Sequence, residues 1–240
     1  MTINWRRVRG IFGKELREYR HSGNILWGMA VFPLIFVTQP AIVIFGLSPH
    51  AATALAHEHP LLYMLGIPAI VPAALASYAV VGERDQGTLE PVLTTPIRRE
   101  EFILGKALAA FAPSAAIAYT IYALFLAAVA LFAQPAVAST LLTWQVILPQ
   151  VVFTPLLVAW SIWVAMGVSA RVKDVRTAQQ LGVLASLPTF AVTALITFNV
   201  IHASFGLAIG VGAALLVLDG LGWRVTSATF NRERLITGTR

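Results

Sequence analysis

The sequence predicts an all-α polytopic membrane protein with six transmembrane helices, an N-terminal amphipathic interfacial helix and a cytoplasmic loop between spans two and three. Composition is the first observation behind this class. Of the 240 residues, 58% are hydrophobic and 12% are charged, whereas a soluble domain carries about 25% charged residues. The second observation is that the apolar residues form runs of about 20, the length that crosses a bilayer as a helix.

Residues 1–23 are predicted to form a cytoplasmic amphipathic helix that lies along the membrane surface. Apolar residues recur there at steps of three and four, with basic residues between them, a pattern typical of a helix with one apolar and one polar face. The proposed membrane-facing set is Trp5, Val8, Phe12, Leu16 and Tyr19. A basic polar face suits the cytoplasmic lipid surface, so membrane lipid is an expected partner. The alternative is an ordinary anchor helix beside the first span.

The predicted transmembrane domain covers residues 24–222 and contains six apolar runs. They lie at 25–47, 61–82, 107–132, 146–170, 181–201 and 205–221. The fourth run contains Pro149 and Pro155, each of which removes a helix hydrogen bond. A very short link joins the last two runs, so a hairpin that does not fully cross is the alternative to two full spans there.

Every Lys and Arg of the chain lies in alternate loops or at the termini. Six precede span one, four follow span two, three follow span four and four lie in the tail at 223–240, which together are all 17. Because cytoplasmic loops are enriched in Lys and Arg, both termini and the loop at 83–106 are predicted to be cytoplasmic. The net charge of +6 therefore indicates orientation, and no nucleic-acid partner is expected.

The polar segment at 83–106 interrupts the apolar pattern between spans two and three. It turns at Gly87 and again at Pro96. Pro96 suits the first turn of a new helix, with Glu100 and Glu101 near the positive end of the helix dipole. A connector between two membrane helices can be far shorter, so this length indicates docking to a partner. The alternative is an amphipathic loop that lies on the bilayer.

The order of residues in this segment resembles a known motif. It reads Glu83-Arg84-Asp85-x-Gly87-Thr88-Leu89-Glu90-x-x-Leu93-x-Thr95-Pro96-Ile97-x-Arg99-x-Glu101-x-x-x-Gly105-Lys106. This string is similar to the hallmark of ABC transporter permeases of the type-2 exporter class, in which it also follows the second span. One departure is Pro91, where the family more often continues the helix, so the coupling helix is expected to be shorter or shifted.

The resemblance implies a transmembrane permease subunit that works as a homodimer in the inner (plasma) membrane and pairs with a separate ABC-type ATP-binding subunit. It also implies which residues couple the two subunits: Glu83, Arg84, Asp85, Gly87, Thr88, Leu89, Glu90, Leu93, Pro96, Arg99, Glu101, Gly105 and Lys106.

The chain itself has no recognisable nucleotide-binding loop. The pairs Gly13-Lys14 and Gly105-Lys106 lack the preceding glycine and the following Ser or Thr of such a loop. ATP and Mg²⁺ are therefore expected on the partner subunit, and neither a cofactor nor a catalytic residue is expected on this chain.

Three other function classes remain as alternatives. An ion-coupled carrier or channel is disfavoured because no charged residue lies in the middle of a predicted span. Asp219, near the end of span six, is the nearest case. An intramembrane enzyme is disfavoured because all five His residues lie at or outside span ends. A membrane anchor that docks a partner without transport is the third alternative. Apolar span faces fit hydrophobic cargo and lipid contact equally, so the substrate stays open.

The first outer loop contains a group of potential metal ligands, namely His50, His57, Glu58 and His59. Imidazole and carboxylate groups bind zinc or copper. However, His57 and His59 are only two residues apart, and nothing else in the sequence supports a metal. We therefore expect a polar turn and no metal site.

Overall fold

The computed structural model describes residues 3–46, 59–85, 87, 97–172, 174–198 and 200–229. All regular elements within these ranges are helices. They are α1 (Trp5–His21), α2 (Gly23–Gly46), a 3₁₀ helix (Pro60–Leu65), α3 (Gly66–Ala76), α4 (Tyr78–Asp85), α5 (Arg99–Phe132), α6 (Pro135–Leu141), α7 (Trp144–Ser169), α8 (Val175–Val183), a 3₁₀ helix (Leu184–Ser186), α9 (Leu187–Thr197) and α10 (Phe205–Thr229).

Six helical stretches are long and apolar enough to cross a membrane. They are Met29–Gly46, Pro60–Glu83, Arg99–Phe132, Trp144–Ser169, Val175–Thr197 and Phe205–Ala228. The predicted all-α class and the six spans are confirmed. The last two stretches each have the length and apolar composition of a full span, as the prediction of six full spans requires.

The second span forms the centre of the bundle. Its middle helix, α3, is buried along almost its entire length and contacts α2, α5, α7 and α8. A helix covered on all sides can be apolar all round, which explains why its sequence has no polar face. Gly66 illustrates the packing density, since a Cβ there would overlap the ring of Phe36.

The end of the polar loop and the third span form one continuous helix. α5 runs for 34 residues from Arg99 to Phe132, a length of about 50 Å. The hydrocarbon core of a bilayer is only about 30 Å thick. The helix is therefore long enough to project beyond the membrane, and the two acids predicted near its start, Glu100 and Glu101, lie in its first turn.

The fourth span is also continuous, although Pro149 and Pro155 lie inside it. Pro155 has no N–H, so the carbonyl of Val151 loses its helical partner. The hydroxyl of Tyr119 on α5 donates a hydrogen bond of 2.9 Å to this carbonyl oxygen. A neighbouring helix thus satisfies the group that proline leaves free, which is how membrane helices tolerate proline.

Serine side chains join α7 to the central span. Ser161 Oγ donates to the carbonyl of Ala69 at 2.7 Å, and Ser169 Oγ donates to the carbonyl of Ser77 at 2.6 Å. The sequence favours bonds within the same helix for such residues, and Thr38 does bond to the carbonyl of Leu34. Ser161 and Ser169 instead connect different helices, because close packing brings a foreign carbonyl within reach.

Three boundaries differ from the predicted ones. The loop at 133–145 contains a short helix, α6, whose Val137 and Leu141 are buried. The fifth span begins at Val175, where the Asp174 carboxylate accepts a hydrogen bond from the Thr177 N–H, six residues before the apolar run. α10 continues to Thr229, which places Asp219 inside a helix and not at its end.

α10 packs mainly on α7. Gly222 allows this contact, since a Cβ there would lie 2.8 Å from Cβ of Trp163. The rings of Trp163 and Trp223 meet edge to face at 5.4 Å between centroids. Much of the remaining surface of α10 exposes large apolar side chains, including Phe205, Ile209, Leu216, Val217, Leu221 and Val225.

The bond between Tyr119 and Val151 generates a stability prediction. Tyr119→Phe should lower the free energy of unfolding by about 1 kcal/mol, because the Val151 carbonyl loses its donor in an apolar environment. In a Pro155→Ala background the helix itself supplies a donor, so the same substitution should cost much less. Unfolding of the four proteins in detergent gives a double-mutant cycle. Equal costs in the two backgrounds would contradict the account of proline tolerance.

Candidate functional site

The candidate site lies where α1 packs against the first turns of α5, beside the end of α4. Ile11 and Tyr19 of α1 share a core cluster with Phe102, Ile103 and Ala107 of α5. The buried residues of α1 are Val8, Ile11, Glu15 and Tyr19, which lie on one helix face by their spacing. α1 is therefore held by protein contacts on that face.

The buried face of α1 differs in part from the apolar set predicted from the sequence. Val8 and Tyr19 are buried, whereas Phe12 and Leu16 are half-buried and Trp5 is 65% exposed. Ile11 and Glu15 were not predicted for this face. The buried face is turned relative to the apolar pattern and includes a charged residue, Glu15, which pairs with Lys106.

Gly105 allows α1 to approach α5 closely. A Cβ at this position would lie 2.8 Å from both Cβ and Cγ2 of Ile11 and 3.2 Å from the carbonyl oxygen of Val8. The contact of 3.2 Å is with backbone, which cannot move as a flexible side chain can. Glycine is thus required where the two helices cross.

Lys106 lies at the centre of a buried group of charges, which we call the Lys106 cluster and which consists of Lys14, Glu15, Glu83 and Lys106. Its ammonium nitrogen is 2.5 Å from Oε1 of Glu15 and 2.9 Å from Oε1 of Glu83. Lys14 Nζ is 2.7 Å from the same oxygen of Glu83. The side chains of Glu15, Glu83 and Lys106 are each 4% exposed or less. The cluster therefore joins α1, α4 and α5.

The charges of the cluster compensate one another. Removing an ion from water costs several kcal/mol unless close partners replace the solvent. Lys106 has two carboxylates as partners, and its Nζ lies 5.2 Å from the ring centroid of Phe102, a favourable place for a cation. The carboxylates of Glu15, Glu18 and Glu83 lie within 4.8 Å of one another, and the two lysine ammonium groups supply the positive charge that this arrangement needs.

Glu101 makes a second link between α1 and α5. Its Oε1 accepts a hydrogen bond of 2.9 Å from the backbone N–H of Asn4, the N-cap of α1, and its Oε2 accepts one of 3.0 Å from the N–H of Arg98. Arg7 Nη1 is 3.4 Å from Oε2. Glu101 is 1% exposed, so one buried carboxylate joins the starts of both helices.

The surroundings shift the proton affinities of two α1 residues in this cluster. Burial raises the pKa of the Glu15 carboxyl, although the charge and hydrogen bond of Lys106 oppose this rise. Burial by itself would lower the pKa of Lys14, but the hydrogen bond and charge of Glu83, with the nearby Glu18 and Glu15, raise it above its ordinary value. Lys14 is therefore held in its charged form.

Comparison with known proteins assigns the family. The model of the ABC-2 family transporter proteins matches residues 9–216. The chain belongs to this family. A search of curated proteins finds no match. The family match begins within α1, ends within α10 and includes all four residues of the Lys106 cluster. The resemblance inferred from the loop motif is thus confirmed over most of this ABC-2 transporter.

The structure brings together four of the coupling residues predicted for this ABC-2 transporter. Glu83, Glu101, Gly105 and Lys106 are all buried in contacts among α1, α4 and α5. Glu83 and Lys106 pair with each other, and their further partners, Lys14 and Glu15, lie in α1, where their sequence positions do not reveal them. Lys14 and Glu15 belong to no recognised motif, and a lysine beside a glutamate in a basic helix is a weak signal by itself.

The other predicted coupling residues lie elsewhere or outside the described ranges. Arg99 is exposed at the start of α5. Gly87 is exposed with φ +67°, a conformation that favours glycine. Arg84 and Asp85 are the last residues of α4. Thr88, Leu89, Glu90, Leu93 and Pro96 lie outside the described residues, as do His50, His57 and Glu58 of the outer loop, whereas His59 is described with φ 44°.

α4 is connected to the far side of the ABC-2 transporter by hydrogen bonds around Ser77. Ser77 separates α3 from α4, and its hydroxyl lies 2.6 Å from the carbonyl oxygen of Ala73 and 3.2 Å from that of Ala178 on α8. Ser169 at the end of α7 accepts a hydrogen bond from the N–H of Val81 at 3.2 Å. The sequence analysis missed Ser169 as a site residue. These bonds fix α4 to α7 and α8.

The Lys106 cluster generates a prediction for its central residue. Lys106→Met should lower the free energy of unfolding by about 3–5 kcal/mol, because it leaves Glu15 and Glu83 buried with less positive charge. Lys14→Met removes a lysine that is 38% exposed and should cost about 1 kcal/mol or less. Chemical unfolding in detergent measures both. If both variants lower the free energy of unfolding by similar amounts, burial does not determine how much each lysine of this cluster stabilises the fold.

The raised pKa of Glu15 generates a pH prediction. A folded-state pKa above the unfolded value makes a contribution to stability that is complete below the unfolded pKa and is lost as the pH rises through the folded pKa. The Tm of the wild type should therefore fall relative to that of Glu15→Gln as the pH is raised from about 4 to about 7, a range that starts near the unfolded pKa of Glu.

Glu100→Gln removes a carboxylate from the first turn of α5, outside the Lys106 cluster, and is the control for charge. The two proteins and the control are compared by thermal unfolding in detergent at each pH. A Tm difference between wild type and Glu15→Gln that does not change with pH would contradict the burial of an ionisable Glu15.

Proposed function

We propose that this chain is the transmembrane permease subunit of an ATP-driven exporter, that it forms the translocation pathway as a homodimer, and that a separate ABC-type ATP-binding subunit drives it. The observation that carries the proposal is the buried Lys106 cluster. It joins the end of α4 and the start of α5, the helices on either side of the loop at 83–106, to α1. A rigid junction passes on a movement that a flexible loop would absorb.

The proposed mechanism starts on the partner subunit, where ATP and Mg²⁺ are bound. Closure of the ATP-binding subunits pushes on the loop at 83–106 of each permease. α5 carries this movement into the membrane as a continuous helix. α4 carries it to α7 and α8 through Ser77 and Ser169. The helices then alternate the access of a cavity between the two permease copies, with no covalent chemistry on this chain.

The proposal divides the predicted coupling residues into two roles. Gly87 and Arg99, which are exposed, are proposed to contact the ATP-binding subunit, together with Arg84, Asp85, Thr88, Leu89, Glu90, Leu93 and Pro96. Glu83, Glu101, Gly105 and Lys106 are buried and are proposed to act as positioning residues that pass the movement on to α1 and α5.

The proposed location is the inner (plasma) membrane with both termini in the cytoplasm. The chain is a multi-pass membrane protein by its family and its six apolar helices. The placement of all 17 Lys and Arg residues in alternate loops and at the termini supports the orientation. The apolar side chains exposed on α10 are proposed to meet lipid or the second copy.

Co-purification with the ATP-binding subunit encoded beside this chain tests the proposal. The wild type should form a stable complex and stimulate ATP hydrolysis. Glu90→Lys/Arg99→Glu should weaken the complex roughly tenfold or more, since charge reversal at an interface opposes association. Arg176→Glu/Arg224→Glu reverses two exposed charges on α8 and α10 and is the control that should retain the complex.

The outcomes separate the function classes. If the wild type binds no ATP-binding subunit, the exporter proposal is wrong, and an ion-coupled carrier, a channel or a membrane anchor becomes the better explanation. If the complex forms but the loop variant binds as well as the control, the docking surface lies outside the loop.

A further inference from the structure

The exposed side of α1 carries four arginines on one face. Arg6, Arg9, Arg17 and Arg20 are all exposed. Because successive residues of an α-helix are about 100° apart, these four side chains fall within about 80° of one another, opposite the buried residue Glu15. They form two pairs with a spacing of three residues, and side chains at this spacing are neighbours on a helix surface.

Gly13 separates the two arginine pairs, and its carbonyl oxygen accepts a hydrogen bond of 3.2 Å from Arg17 Nε. Gly13 lies on the same face between Arg9 and Arg17, and a Cβ added there would meet nothing within 4 Å. Glycine inside a helix costs roughly 1 kcal/mol relative to alanine. The two arginine pairs and the glycine therefore form one basic face along α1.

The acids of α1 do not neutralise this face. The helix contains two, Glu15 and Glu18. Glu15 is buried against Lys106. Glu18 lies on the same side of α1 as Lys14, and the two side chains are 3.2 Å apart. The positive charge of the arginine face is thus left for a partner outside the described residues of the chain.

One flank of the arginine face is apolar. Trp5, Phe12 and Leu16 lie next to the arginines on the helix surface, and Trp5 is 65% exposed while the other two are half-buried. Tryptophan beside arginine is typical of the boundary between lipid headgroups and acyl chains. A partner that presents negative charge next to an apolar layer matches both parts of this surface.

The chain connection places α1 at the level where the first span starts. Only Ser22 separates α1 from α2, and Trp27 in the first turns of α2 is 71% exposed. The C-terminal end of α1, which carries Arg17 and Arg20, therefore lies close to the headgroup layer. Lipid is the partner that this position supplies.

We propose that the arginine face of α1 binds the phosphate groups of anionic phospholipids, with the flank of Phe12 and Leu16 toward the acyl chains. Guanidinium groups recognise phosphate oxygens through paired hydrogen bonds. Because the Lys106 cluster joins α1 to α4 and α5, bound lipid holds the coupling junction at the membrane surface. The proposal depends on the proposed cytoplasmic orientation only for the choice of leaflet, and not on an ATP-binding partner.

Lipid binding by the purified full chain tests this inference without any partner subunit. The chain in neutral detergent is titrated with phosphatidylglycerol or with phosphatidylcholine, and bound lipid is counted by native mass spectrometry. Arg6→Gln/Arg9→Gln removes one arginine pair. Each arginine near an anionic surface strengthens binding roughly fivefold. The variant should therefore bind phosphatidylglycerol roughly 30-fold more weakly, and phosphatidylcholine as the wild type does.

Arg176→Gln/Arg224→Gln removes the same charge from two separate helices and is the matched control, expected to stay close to the wild type. Thermal unfolding verifies that all three proteins are folded. Added salt should weaken phosphatidylglycerol binding by the wild type.

Equal binding of the two lipids by the wild type would overturn the proposal. An equal loss of phosphatidylglycerol binding in the α1 variant and in the control would also overturn it. If the α1 variant keeps its phosphatidylglycerol binding but loses the complex with the ATP-binding subunit, the arginines face a protein and the lipid proposal is wrong. Loss of phosphatidylglycerol binding with an intact complex supports lipid binding independently of the exporter proposal.

Discussion

The pairing of Lys106 with Glu15 and Glu83 is the interaction on which the packing of α1 against α4 and α5 depends. Three helices supply these charges, and each charge is nearly inaccessible to water. Such a group is stable only when every member is present, since an unpaired buried ion is costly. The neighbouring Gly105 makes the arrangement possible, because α1 could not reach Lys106 past a larger side chain. The Gly-Lys pair thus combines close packing with charge compensation.

This junction joins the helices on either side of the loop at 83–106 to α1 in this ABC-2 transporter. α5 continues from the junction through the membrane without a break. α4 is bonded at Ser77 and Val81 to the ends of α7 and α8. The loop at 83–106 is therefore flanked by two rigid helices that lead to different parts of the bundle. In the proposed mechanism, a movement of the loop displaces both helices, and α1 with them.

Helix interiors were predictable from the sequence, whereas helix ends and helix contacts were not. Each span is a local run of apolar residues, and bilayer thickness sets its length. α6 was missed because its apolar residues, Val137 and Leu141, are too few to form a pattern in a short loop. The start of α8 was missed because Asp174 caps a polar turn ahead of the apolar run. The bond from Tyr119 to Val151 depends on which helices are neighbours.

The sequence by itself determined the membrane class, the six spans, and the motif that identifies the ABC-2 transporter family, because all of these depend on nearby residues. Only the tertiary structure decided where the charges of that motif point. The partners of Glu83 and Lys106 lie 69 and 91 residues away, at Lys14 and Glu15. Charged residues in a loop are ordinarily solvated, so their burial cannot be inferred before the fold brings an opposite charge and a glycine contact to the same place.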